Sequence, residues 1–148
     1  NDFDLNDLDP KTLKHDIYGN FASKIGRLDF VRNKLKKLQI SFIEDMTKRK
    51  GGCILDGRDI GTEIFPKAKI KIFMWADAKV RAKRRLLQIK KKGQITSLKR
   101  IYKEIVARDM NDLNRKIAPL RPAVNSVLLD TSYLDIEQAF NVIKKIIS

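Results

Sequence analysis

Three short apolar runs, Cys53-Ile54-Leu55, Ile70 to Trp75 and Val127-Leu128-Leu129-Asp130, are separated by long stretches whose apolar residues recur at helical spacing. That alternation constrains the fold more than any other feature of the sequence. A short continuous apolar run suits a strand buried on both faces, and strands separated by helices pair in parallel. The expected class is α/β, a parallel sheet flanked by helices. Such sheets bind ligands beyond the carboxyl ends of their strands, where Asp56 and Asp130 stand.

The spacing predicts a helix over about 29–48, with Val31, Leu35, Leu38, Phe42, Ile43 and Met46 as its stripe, Asp29 as N-cap and Gly51-Gly52 as its end. Asp77 is expected to cap a helix over about 78–91 that Gly93 ends. Further helices are expected over about 98–114 and 136–147, the last with Phe140, Ile143 and Ile147 inward. Upstream, the polar first ten residues read as a loop, Asp9-Pro10 as a turn opening a short helix, and Asp16 to Ile25 as a helix.

The chain has 148 residues, 43% of them hydrophobic and 34% charged, a balance that fits one globular domain. No apolar run approaches the ~20 residues of a membrane span, and the start lacks a basic-then-apolar signal, so the expected compartment is the cytoplasm. One cysteine, Cys53, rules out an internal disulfide and a cysteine metal site. One histidine, His15, argues against a histidine metal site or a Ser-His-Asp triad. The formal net charge of +14 attracts phosphate, on nucleotides or nucleic acid, although for most of the lysines a solvated helix face is the simpler account.

Three clusters point to chemistry. Asp56-Gly57-Arg58-Asp59-Ile60-Gly61-Thr62 follows the first apolar run directly. A guanidinium there suits a phosphate, and a carboxylate suits a metal-bound water or a base amino group. Taken alone, the same residues fit a loop in which Arg58 pairs with Asp56 or Asp59. Arg108, Asp112 and Arg115, four and three apart, fall on one helical face, either as an exposed ion-pair ladder or as two cations and an acceptor for a phosphorylated sugar. Arg81-Ala82-Lys83-Arg84-Arg85 alone reads as a solvated basic face. A nucleic-acid patch would want interleaved aromatics, which are missing there.

In this order the pieces resemble the bacterial cytidylate kinase family of P-loop nucleoside monophosphate kinases. The resemblance rests on Asp56 to Thr62 with Phe65-Pro66, on Lys71-Ile72-Phe73 with Arg81 to Arg85, on Arg108-Asp109 through Arg115 with Ala118-Pro119-Leu120, and on Asp130-Thr131. Upstream, Ala22-Ser23-Lys24-Ile25 and Val31-Arg32 resemble the family's acceptor region. About residues 12–148 are covered. The resemblance implies transfer of the γ-phosphate of ATP to CMP or dCMP, with Mg2+, by a monomer needing neither nucleic acid nor membrane.

It implies that Ser23, Arg32 and Asp59 read the cytosine ring and that Arg108 and Asp112 hold the ribose. Arg58 and Arg115 would bind the acceptor phosphate, Asp56 would lie near Mg2+ through water, and Arg84 would face the ATP phosphates. Arg58, Arg84, Arg108 and Arg115 are thus the expected catalytic residues. One kinase domain is expected, with an acceptor region over about 1–50, core over 51–85 and 116–148, and a lid over 86–115. No G-x-x-x-x-G-K-[ST] phosphate loop occurs, so the chain is expected to be a fragment lacking that N-terminal segment and inactive alone. The contrasting expectation is a non-catalytic basic nucleic-acid-binding protein.

Overall fold

A computed structural model describes Ile25 and residues 28–148. The expectations for the first loop, the turn at Asp9-Pro10, the helix from Asp16 and the role of Ser23 lie outside the described residues. The chain divides into two compact units, Asn1–Ile54 and Leu55–Ser148.

The first unit is described chiefly by helix α1, Asp29–Lys50. Leu28, not Asp29, is its N-cap: the Leu28 carbonyl accepts from the Arg32 amide at 3.0 Å, so the ladder starts one residue earlier. Asp29 falls in the first turn, where its charge still complements the helix dipole. The helix ends as expected at Gly51, whose φ of 78° is the left-handed conformation glycine adopts without steric cost. Of the expected stripe only Ile43 is buried, and Leu35, Leu38 and Phe42 stay about half exposed.

The run Cys53-Ile54-Leu55 forms no strand, contrary to expectation. A strand exists only as a ladder, and no described segment pairs with this one. Ile54 is 94% exposed. The second unit opens on bends at Arg58 and Asp59 and then makes a single π-turn, Ile60–Ile64, which the sequence reading missed. Its two wide bonds run from Ile64 N to Asp59 O at 3.2 Å and from Phe65 N to Ile60 O at 2.7 Å. Space is tight at Gly61, where a Cβ would lie 3.1 Å from the Ala123 Cβ.

Strand β1, Ile72–Trp75, is followed by helices α2, Ala78–Lys91, and α3, Leu98–Asn114, then strand β2, Val127–Asp130, and helix α4, Ile136–Ile147. β1 starts two residues later than its apolar run suggests. β1 and β2 pair in parallel, with Ile72 opposite Val127 and Trp75 opposite Asp130. The α/β class holds, with a two-stranded sheet among the described residues.

Asp77 caps α2 as expected, accepting from the Lys79 and Val80 amides at 2.7 and 3.3 Å. The helix closes in a Schellman motif: Gly93 N reaches Lys90 O at 2.9 Å and Gln94 N reaches Ile89 O at 3.2 Å. Ser97 caps α3, and Asp135 with Gln138 makes a capping box on α4. α2 packs on α3, with Ala82 fully buried and Ile101 nearly so. No α4 residue is fully buried: Phe140 is 62% exposed and Ile147 about half, while Ile143 is half-buried, so the inward face expected there is only partly covered among the described residues.

Candidate functional site

The site is built where α3 ends. The prolines of Ala118-Pro119-Leu120-Arg121-Pro122 cannot continue a helix, and the chain leaves α3 at Arg115, whose ψ is 139°. Ala118 then takes a left-handed φ of 50° while buried. That turn brings the Leu120 amide back to the Asp112 carbonyl at 2.8 Å and the Ala118 carbonyl under the Arg115 guanidinium, whose Nε donates to it.

Asp112 lies between two arginines. Arg58 Nε is 2.9 Å from its Oδ2, and Arg115 Nη1 is 3.9 Å from its Oδ1. The Asp112 side chain is only 15% exposed, against 28% for Arg115 and 40% for Arg58. Despite the close ion pair, Asp112 Oδ2 has no aligned hydrogen bond, and Arg115 Nη2 is buried with no hydrogen-bond partner among the described residues. Buried polar atoms left unsatisfied are costly and uncommon, and one ordinary reason for them is a ligand that completes the set.

The loop from the π-turn and the end of α3 therefore bring Arg58, Asp112 and Arg115 together. Arg108 sits exposed on α3, without an ion pair among the described residues. Asp56 is exposed and Asp59 half-buried at the head of the π-turn. Arg32 is half-buried on α1, in the other unit.

The cluster from Arg81 to Arg85 is not simply a solvated face. Arg84 Nη2 donates to the carbonyls of Thr131 at 2.6 Å and Leu134 at 2.9 Å, which ties α2 to the segment between β2 and α4. Its partners are these carbonyls, not members of the Asp112 cluster. Arg81 makes a two-pronged pair with Asp109, Nη1 to Oδ1 at 3.0 Å and Nη2 to Oδ2 at 2.5 Å. Hydrogen bonding to Asp109 raises the Arg81 pKa above the ordinary guanidinium value, against the opposing effect of burial. Sequence spacing carried no signal for this pair, which joins positions 28 apart.

Among the described residues no group of three or more His, Cys, Asp or Glu is placed to hold a metal ion, and no helix is long and apolar enough to cross a membrane.

The family model for cytidylate kinase matches residues 4–148. The chain belongs to the cytidylate kinase family. A cytidylate kinase of Caldicellulosiruptor saccharolyticus is 44% identical over 80% of the chain and 50% of its own length. One of Pseudomonas syringae pv. tomato is 41% identical over 93% and 57%, and one of Cereibacter sphaeroides is 43% identical over 93% and 65%. The chain thus spans half to two thirds of the length of these relatives. Membership places the parallel pair and its flanking helices in the P-loop nucleoside monophosphate kinase class.

Proposed function

We propose that the chain binds CMP or dCMP as the acceptor in a kinase reaction that moves the γ-phosphate of ATP and yields CDP or dCDP and ADP. One observation supports this reading: Asp112 is ion-paired to Arg58 and Arg115 in one cluster, and a buried guanidinium nitrogen of Arg115 has no hydrogen-bond partner among the described residues. A phosphorylated sugar offers phosphate oxygens to guanidinium groups and a hydroxyl to a carboxylate. Arg58 and Arg115 would bind the acceptor phosphate, and Asp112 with Arg108 the ribose. Asp59, with Ser23 and Arg32, would read the cytosine ring. The stretch 86–115 would act as the lid, and the protein would work as a monomer without nucleic acid or membrane.

Phosphoryl transfer needs alignment and neutralisation of spread negative charge more than covalent chemistry. Guanidinium groups held half-buried before substrate arrives reorganise little as that charge develops. Arg84, tied to the Thr131 and Leu134 carbonyls, would face the donor phosphates only by exchanging those bonds. Mg2+ would neutralise phosphate oxygens when bound. A lone exposed carboxylate such as Asp56 fits a contact through water, and Mg2+ ordinarily keeps several waters and takes further oxygens from phosphates. The 148 residues hold no G-x-x-x-x-G-K-[ST] sequence, and with them alone we expect CMP binding without turnover.

Titration calorimetry on the 148-residue chain tests the reading. CMP should bind, and UMP should bind far more weakly, because uracil offers a carbonyl where cytosine offers the amino group that Asp59 would accept from. Equal affinity for both would remove Asp59 from base reading. Failure to bind CMP would overturn the acceptor role.

A further inference from the structure

We propose that Arg81 is a positioning residue which, through Asp109, pins the C-terminal half of α3 and so sets where Asp112 and Arg115 stand relative to Arg58. The inference rests on the acceptor-site reading for its effect on CMP, but the pin itself is a property of the fold.

All three faces of the Arg81 guanidinium are engaged. Its Nε donates to the Ala76 carbonyl at 2.8 Å, just beyond β1, and its two terminal nitrogens grip both oxygens of Asp109. Ala76 is buried and belongs to the sheet's end, so the guanidinium bridges the sheet to α3. A planar fork on a carboxylate fixes direction as well as distance, which an ammonium cannot do.

Apolar packing grips this half less firmly. Ile101, in the first turn of α3, is the only buried residue of that helix. In the second half, from Ile105 to Asn114, Ile105 and Val106 are half-buried and Met110 and Leu113 are exposed, and the other ties, from Arg58 and the Leu120 amide, both fall on Asp112 near its end. Asp109 lies in that half, directly after Arg108 and three residues before Asp112. Each residue of a helix rotates by about 100° and rises about 1.5 Å, so fixing Asp109 fixes the height and rotation of both neighbours. Arg100 and Glu104, on the same helix, form a different sort of pair, exposed and local, with no further side-chain partner among the described residues.

Two measurements on the 148-residue chain test the pin. Amide hydrogen exchange of the ligand-free chain should show faster exchange over residues 105–114 in Arg81→Ala and Asp109→Asn than in wild type, with 98–104 unchanged. Arg100→Ala should leave 105–114 unchanged. Exchange that rises evenly along α3, or in neither half, overturns the pin whether or not CMP binds. CMP titration then reads the consequence. Arg81→Ala should raise the CMP Kd about tenfold, as displaced binding groups do, and Arg81→Lys should recover only part. In an Arg115→Ala background the same substitution should raise it by less than about twofold, because residues acting through one another are not additive. Additive losses would assign Arg81 to general stability and overturn the positioning role. A wild type that does not bind CMP would overturn the acceptor reading, and the exchange data would still decide the pin.

Discussion

At Arg115 a side chain and a backbone turn depend on each other. Its Nε rests on the carbonyl of Ala118, a buried non-glycine residue held at φ 50°. Left-handed backbone in such a residue costs about 1–3 kcal/mol, and a β-branched side chain raises the cost. Ala118 already bears that cost, so Ala118→Val should lower stability further by the increment that branching adds, read in urea titration, and should weaken CMP binding beyond what the lost stability explains. Arg115→Ala removes the group itself. A hydrogen bond between charged groups contributes about 1.5–3 kcal/mol, so the CMP Kd should rise about tenfold to a hundredfold when measured well below the melting temperature, which should itself fall because the Ala118 carbonyl loses its donor. Arg115→Lys should restore part of the affinity. If Arg115→Ala binds CMP as wild type does, the ion-pair ladder is the better account of this face. The face was legible because spacings of four and three are local. Arg115 itself proved to be the C-cap, not a helical residue, and nothing in Ala-Pro-Leu announces a left-handed alanine.

Elements whose boundaries are set by nearest neighbours matched the sequence closely. Asp77 and Gly93 bound α2 as the sequence suggests, and Ser97 and Asp135, which the sequence reading did not single out, cap α3 and α4; each sits where a terminus must satisfy its own orphan amides or carbonyls. Asp77→Ala should cost about 1 kcal/mol, read as a lower urea midpoint, because its carboxylate serves two α2 amides. An unchanged midpoint would mean that the cap is dispensable. Elements that depend on a distant partner were less legible. Cys53-Ile54-Leu55 has the composition of a buried strand but no ladder among the described residues. Phe140 and Ile147 on α4 have the periodicity of a core face yet remain more than half exposed. Periodicity states which face a helix would bury, not whether anything lies against it. The Arg81–Asp109 and Arg84–Thr131 contacts join positions 28 and 47 apart, a relation that no local pattern encodes.

Across the whole molecule the net charge of +14 favours any phosphate ligand and is screened by salt. CMP affinity should fall as sodium chloride rises from low to physiological levels, while cytidine, lacking the phosphate, should show a much flatter dependence. Parallel slopes would place the charge effect outside the phosphate contact. Tight salt-dependent binding to RNA, with no protection from unfolding by CMP, would favour the nucleic-acid alternative. The parallel pairing of β1 with β2 also bears on how the protein is made. Thr131 N and Oγ1 both reach the Trp75 carbonyl, 56 positions earlier, and Arg84 waits for the same threonine. Chains emerge from the ribosome at about 5–20 residues per second. For several seconds, then, β1 leaves the exit tunnel with its β2-facing edge unpaired, while α2 and α3 can already assemble as a helical hairpin. The nascent chain must pass through that interval with the β1 edge open and its half-buried Ile72 and Phe73 more exposed, so translation stalls placed between α3 and β2 should increase its capture by chaperones.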